Sequence, residues 1–481
     1  MEYETNIGLE VHLQLSTKSK IFCSCSTKFG GSPNSQTCPI CLGLPGSLPV
    51  LNKETLKSSI KVALALNCAI AKTTKFDRKN YYYPDLPKNF QISQYDKPLS
   101  QNGFLLIRTN ARAKKIKIKR VHLEEDAGKL FHKEGYSLID YNRAGTPLLE
   151  IVSEPDMSSP DEAYAYLTLL KTCLRYLDVS DCNMEEGSLR CDANISLREK
   201  GSVDLGVKTE LKNMNSFKGV KSALDHEIRR QSSVLNDGAK IVQETRLWNA
   251  GKGVTTSMRI KEDAHDYRYF PEPDLVPFTI DGTLIERIKS EIPELPQARE
   301  ARFISQYNIS EYNASVLIQE RRTADFFEET VTIYNNPKAV SNWIMGDVNA
   351  ILNEQNISIC KTKLSPANLA KMVKMVDDGT ISVKIAKGIL SEMADSGNAP
   401  DVIVKKRGLS QISDSGELEN VIARVLKQNE KTVMDYRSGK QNAIIFLVGQ
   451  VMKASRGKAN PKMVNEILKN KLNEGQAYER R

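Results

Sequence analysis

A chain of 481 residues is too long for one hydrophobic core and calls for roughly two to four domains. Its 40% hydrophobic and 26% charged residues suit a soluble globular protein, and no stretch reaches the ~18 consecutive apolar residues of a membrane-spanning helix. The net charge of +9 is concentrated at one end: Lys405 to Arg481 holds 16 Lys/Arg against 8 Asp/Glu, whereas the first 404 residues hold 52 against 51.

The opening MEYETNIGLEVHL lacks a basic region followed by an apolar core, so no secretory signal is expected and a cytoplasmic location is. Within it, IGLEVHLQL alternates as a strand does. Ile7, Leu9, Val11, Leu13 and Leu15 face one way, as the core side, and Gly8, Glu10, His12 and Gln14 the other. Four cysteines follow in two close pairs, Cys23-Ser-Cys25 and Cys38-Pro-Ile-Cys41. Two thiolate pairs at loop-sized separation predict a closed, structural zinc site. Cys68, Cys173, Cys182, Cys191 and Cys360 read as small core residues.

Phe76 to Pro98, FDRKNYYYPDLPKNFQISQYDKP, has neither helical nor strand period. With prolines at 84, 87 and 98, it is expected to be an ordered loop. KKIKIKRVHLEEDAG starts as a strand, but its apolar parity changes between Ile118 and Val121, which marks a bulge or a strand covered on both faces. A helix is expected after Ser159, with Pro160 at its first position, Asp161 and Glu162 in its first turn and leucines at helical spacing. CDANISL and VKTELKNM alternate as an antiparallel pair of strands. A second helix starts near Ser216 and stops at Gly238.

From about Pro296 helical segments dominate, and Pro/Gly clusters near 295 and 400 are the natural boundaries. The expected fold class is therefore α+β: an antiparallel-sheet domain over 1–294, an all-helical domain over 295–404 and a small basic helical tail domain over 405–481. AIIFLVGQVM (Ala443 to Met452) reads as a buried helix in that tail. A basic module on a neutral body points to a polyanion such as RNA, against the plainer reading of a solvated helical surface.

Glu10 and His12, two apart on a strand, share a face and can grip one ion, although exposed sheet faces carry such residues routinely. Further acids cluster at Glu124-Glu125-Asp126, Glu150 and Glu185-Glu186. Several carboxylates gathered with a histidine would suit Mg²⁺ and the phosphates of a nucleotide. No phosphate-binding glycine loop is present: GSVDLGVK (Gly201 to Lys208) is a near miss, and there is no G-x-G-x-x-G. Nothing proposes a catalytic thiol or serine.

Taken together, IGLEVHLQL, CPICLGLPGSLPVLN, DRKNYYYPDLPKNFQISQ, HLEEDAGK, NRAGTPLLEIVSEPD, CDANISLR, ELKNMNSF, QETRLW and EDAHDYRYFPEPDL closely resemble the B subunits of the aspartyl/glutamyl-tRNA amidotransferases of bacteria and organelles. The resemblance implies a kinase followed by amide synthesis in a catalytic cradle domain. ATP phosphorylates the side-chain carboxylate of Glu or Asp misacylated on tRNA(Gln) or tRNA(Asn). Ammonia from a glutaminase A subunit then attacks the acyl phosphate, in a heterotrimer with A and C subunits.

By motif, His12, Glu125 and Glu150 would hold Mg²⁺, with Glu10, Glu124, Asp192 and Glu210 around that metal or a second one. Lys79 and Lys88 would line the synthetic cavity, and Cys23, Cys25, Cys38 and Cys41 would hold structural zinc. The rival from another class is a non-enzymatic, zinc-containing, tRNA-binding scaffold.

Overall fold

The computed structural model of the protein describes residues 2–109, 112–260, 267–409, 415–455, 459 and 461–478. Glu262 to Asp266 of the EDAHDYRYF stretch lie outside them. Two compact units result, Met1–Pro296 and Gln297–Arg481. The first is built on strands β1 (Tyr3–Gln14), β2 (Ala69–Ile70), β3 (Thr73–Thr74), β4 (Asp77–Asn80), β5 (Phe90–Ser93), β6 (Ser100–Thr109), β7 (Arg112–Glu125) and β8 (Lys129–Lys133). They are followed by β9 (Tyr136–Asp140), β10 (Pro147–Ser153), β11 (Leu189–Glu199), β12 (Thr209–Lys212), β13 (Glu244–Asn249), β14 (Val254–Ile260), β15 (Phe270–Pro271) and β16 (Phe278–Thr279).

Nine of these make one sheet in the order β14-β13-β12-β11-β1-β10-β7-β6-β2. β1 lies at its centre, and Ile7, Leu9, Val11, Leu13 and Leu15 are all buried, as the alternation requires. Three helices close over that apolar face: α2 (Lys53–Ala65), α3 (Pro160–Tyr176) and α4 (Phe217–Asn236), which contribute Val62, Leu167, Leu170 and Leu224 to one core with the sheet. Ser159 caps α3 by accepting from the Glu162 amide (3.2 Å), and Ser216 caps α4 by accepting from the Gly219 amide (2.9 Å). β11 and β12 pair antiparallel, as expected. β12 and β13 are parallel, because α4 crosses over between them and returns the chain in the same direction.

The parity change in β7 is a bulge. Arg120 pairs with Val152 of β10 but Ile118 pairs with Ser153, so β7 carries one extra residue at Lys119. Beyond it, Val121 to Glu125 are also buried on both faces. The expected proline loop, by contrast, is a hairpin. β4 and β5 pair antiparallel, β15 adds a third strand, and only Tyr81 to Asn89 between them is irregular. Strands of four residues are too short to show a period, and the prolines fall between them.

In the second unit, one apolar cluster runs from Phe303 to Val404 and another from Leu418 to Leu472. The helix Ala443–Ala454 buries Leu447 and Val451 but leaves Ile445 70% and Phe446 50% exposed, so it is a half-buried helix and not the fully buried one expected. Cys360 is likewise exposed, not a core residue. No helix among the described residues is long and apolar enough to cross a membrane.

Gly103 of β6 marks a close approach of backbone to backbone: a Cβ there would meet Cys68 Sγ at 2.3 Å and the Leu66 carbonyl oxygen at 2.6 Å. Backbone cannot yield as a side-chain tip can, so Gly103→Ala is expected to destabilise the first unit by about 1–3 kcal/mol. Urea unfolding followed by near-UV circular dichroism checks this, and an unchanged midpoint would contradict it.

Candidate metal and substrate site

The outer face of the sheet is acidic at its centre. Register sets His12 of β1 opposite Glu150 of β10, and Glu150 opposite His122 of β7. Glu124 lies two residues beyond His122 and therefore on the same face. His12 Nε2 is 3.7 Å from Glu124 Oε1 and 3.9 Å from Glu150 Oε2. One donor atom from each of His12, Glu124 and Glu150 lies within 4.8 Å of the others, a spacing that can close on one cation. Ser93 Oγ of β5 donates to Glu124 at 3.3 Å.

The buried imidazole of His122 bridges the two carboxylates, 3.0 Å from Glu150 Oε2 and 3.8 Å from Glu124 Oε2. Burial opposes its charge, but Glu150 and Glu124 outweigh burial and push its pKa up to about 9. Burial likewise opposes ionisation of Glu150, yet His122, His12 and Arg120 hold its carboxyl well below the usual range.

The acidic face continues across β1, β11 and β12. Asp192 pairs with Glu10, and Asn194 Nδ2 donates to Glu10 Oε1 at 2.9 Å. Lys212 Nζ spans Asp192 (2.6 Å) and Glu210 (3.2 Å), and these two anions raise its pKa against the effect of burial. Thr245 Oγ1 donates to the other oxygen of Glu210. Just past β7, Asp126 accepts from Arg190 (2.7 Å) and Gln14 (2.6 Å), and the two nearby guanidiniums, Arg190 and Arg143, hold its carboxyl low against burial.

The structure does not bring Glu125 to His12 and Glu150. Strand alternation turns it to the opposite side of β7 from Glu124, where both its oxygens accept from Lys88 Nζ (2.6 and 2.5 Å) and one from the Ile92 amide (3.1 Å). Glu124 takes the place expected of Glu125. The Lys88–Glu125 pair instead lines a cavity of about 250 Å³ with Lys20, Cys41, Arg78 and Glu272.

Lys79 lies over the rings of Tyr267 (4.9 Å) and Tyr81 (5.6 Å), while Tyr95 stacks on Tyr269 at 4.2 Å. Burial first, then the charge of Glu124, raises the hydroxyl pKa values of Tyr81 and Tyr269. Tyr82 and Tyr83 are exposed instead.

The four paired cysteines converge: Cys23, Cys25, Cys38 and Cys41 offer sulfurs within 4.8 Å of one another. Tetrahedral zinc with bonds of ~2.3 Å places its sulfurs ~3.8 Å apart, so the donor set fits that ion with small adjustment. The one-turn helix α1 (Pro39–Leu42) carries Cys41 and ends at Gly43, whose φ is 68°. The Cys38 amide donates to Cys41 Sγ at 3.2 Å, and the buried Lys20 ammonium lies 3.6 Å from the same sulfur. A hydrogen bond from Cys23, the Cys38 amide and Lys20 together bring the Cys41 thiol down to about 4 despite burial. A Cβ on Gly43 would sit 2.3 Å from Lys88 Cγ, so this turn is the wall against which Lys88 lies.

Sequence reasoning missed His122, Arg190, Lys212 and Lys20 among the cations of these sites. For His122 a signal existed, since it precedes Glu124 by two residues on the same strand. Its pKa, raised above the ordinary ~6.5, gives folding a contribution that is complete below pH ~6.5 and lost as pH rises through about 9. In chelator-treated protein, stability is therefore expected to fall between pH 6.5 and 9, and His122→Gln to flatten that slope. Parallel pH–stability curves for the two proteins would contradict the assignment.

The chain matches two family models: the GatB/GatE catalytic domain over residues 5–286 and the GatB domain over residues 325–472. It is 55% identical to the B subunit of the aspartyl/glutamyl-tRNA(Asn/Gln) amidotransferase of Thermoanaerobacter pseudethanolicus, over 98% of this chain and 100% of that protein. The proteins of the same name from Carboxydothermus hydrogenoformans and Brevibacillus brevis are 56% and 53% identical, each over 98% of this chain and 99% of theirs. With a sheet face that gathers His12, Glu124 and Glu150 and full-length identity above one half, the chain belongs to the family of Asp/Glu-tRNA(Asn/Gln) amidotransferase B subunits.

Proposed function

We propose that this chain carries the ATP-dependent step of tRNA-linked amide synthesis. The γ-phosphoryl group of ATP passes to the side-chain carboxylate of Glu esterified to tRNA(Gln), or of Asp esterified to tRNA(Asn). Ammonia released by a glutaminase A subunit, in a heterotrimer with a C subunit, then displaces phosphate from the acyl phosphate. Family membership supports the reaction class. The observation that carries the reading is the crowding of Glu124, Glu150, Glu10, Asp192 and Glu210 on one sheet face. Phosphates and a substrate carboxylate are repelled by such a surface unless divalent cations accompany them, which is the requirement of phosphoryl transfer.

His12, Glu124 and Glu150 are the residues that would hold Mg²⁺, whose contribution is to neutralise charge on the phosphoryl oxygens as they shift. Glu10, Asp192 and Glu210 line the same face and would take a second ion or the water around the first. Ser93 and His122 fix the carboxylate oxygens. Tyr81, Tyr267 and Tyr269 form one cluster of rings beside Lys79, and Lys88 and Glu125 keep a polar, charge-paired cavity behind β7. The four cysteines form a closed donor set without an open position, which suits a structural zinc ion.

Amidation of Glu-tRNA(Gln) by the reconstituted complex, with ammonium chloride as nitrogen source, bypasses the glutaminase and reads this chain's chemistry. Glu124→Gln is expected to lower the rate by about 100-fold or more, because it removes a metal-binding charge. A rate equal to wild type would place the chemistry on another subunit. Separately, Cys38→Ser/Cys41→Ser protein is expected to lose its zinc by elemental analysis and to melt at a lower temperature. A fully zinc-loaded double variant would remove these cysteines from the site.

A further inference from the structure

The sheet's outer face carries a second charged region of opposite sign. Over residues 112–120, β7 reads RAKKIKIKR, six cations without one acid. Ile116 and Ile118 are buried on the helix side, while Lys115, Lys117 and Lys119 are exposed on the other. On β6, Phe104 pairs with Lys117 and Leu106 with Lys115, and Arg108 follows on the same face. Lys115 Nζ lies 4.0 Å over the Phe104 ring, and Leu106 is 43% exposed beside it.

The inward cation of this stretch, Lys114, is used internally, bound to Glu162 of α3 at 2.7 Å. The outward Lys117 has Asp156 only at 3.9 Å and is itself 66% exposed. Protection of a sheet edge does not account for the pattern. Among the described residues β6 is the outer strand beyond Gly103, yet the lysines stand on β7, one strand in, and point out of the sheet.

The bulge at Lys119 ties this region to the acidic site. Before it, odd-numbered residues face outward; after it, even-numbered ones do, so Lys115, Lys117, Arg120, His122 and Glu124 share one continuous face. Along the strand, alternate lysines are ~6.8 Å apart, and Lys115 to Glu124 spans ~30 Å. We propose that the outward face of β6 and β7, with Lys115, Lys117, Lys119 and Arg108 around Phe104 and Leu106, binds the phosphate backbone of the tRNA arm whose acylated end enters the Glu124 site. The identity of the RNA rests on the function proposed above; the surface itself rests on charge and register.

The test measures binding of deacylated tRNA to the reconstituted complex by anisotropy between 50 and 300 mM KCl (roughly the range in which phosphate contacts are read). Lys115→Gln/Lys117→Gln/Lys119→Gln is expected to raise Kd by about 10-fold or more and to lower the slope of log K against log salt by about 2–3. The corresponding triple arginine variant is expected to restore both. Unchanged affinity and slope would overturn the proposal. So would loss of A- or C-subunit assembly with an unaltered slope, since the face would then belong to a protein partner. A wild-type complex that binds tRNA with this salt dependence but amidates nothing would reject the proposed function and leave the RNA surface standing.

Discussion

One extra residue in β7 organises the outer face of the sheet. Without the bulge at Lys119, the alternation that buries Ile116 and Ile118 would also turn His122 and Glu124 into the helix layer. That layer is packed with Leu167, Leu170 and Leu224 and offers no partners for ionised groups, so burial there would cost several kcal/mol per charge. The bulge lets one strand carry Ile116, Ile118, Val121 and Leu123 inward while it presents lysines and then Glu124 outward.

Once the carboxylates are gathered on that face, the protein must stabilise them against one another. It does so with cations fixed in or beside the sheet. His122 lies between Glu124 and Glu150, Lys212 between Asp192 and Glu210, and Arg190 against Asp126. Glu150 and Asp126 are held ionised in this way, and the face keeps its charge pairs within the sheet itself. The Lys88–Glu125 pair repeats the arrangement on the opposite side of β7, where it is closed off by the cysteine-bearing turn.

Local features were legible in the sequence. The alternation of β1, the serine caps of α3 and α4 and the pairing of the four cysteines are decided by neighbours within a few residues, and all appear in the structure. The parity change in β7 was legible too, but not its consequence. Whether Glu124 or Glu125 meets His12 depends on the register between β7 and β10, strands joined through the β8–β9 hairpin, and register is a long-range property. The β4–β5 hairpin escaped detection because its strands are no longer than two alternations. The exposed Ile445 and Phe446 escaped because a run of apolar residues does not reveal which side of a helix finds a partner.

The turn at Gly43 has a mechanical consequence. Gly145, across the cavity, would bring a Cβ to 3.5 Å from both Cys41 Cβ and the Lys20 stem and 3.8 Å from Glu125 Oε1, so two glycines let the thiolate knuckle and the charged pair share a wall with no side chain between them. At Gly43 the approach to the Lys88 stem is the tight one, since a Cβ there would meet Cγ at 2.3 Å. A side chain at position 43 would displace the stem of Lys88, and with it the only ammonium bonded to both oxygens of Glu125 among the described residues. The cysteine site therefore sets the bore of the neighbouring cavity as a collar sets the bore of a pipe, although none of its sulfurs takes part in the Lys88–Glu125 contact.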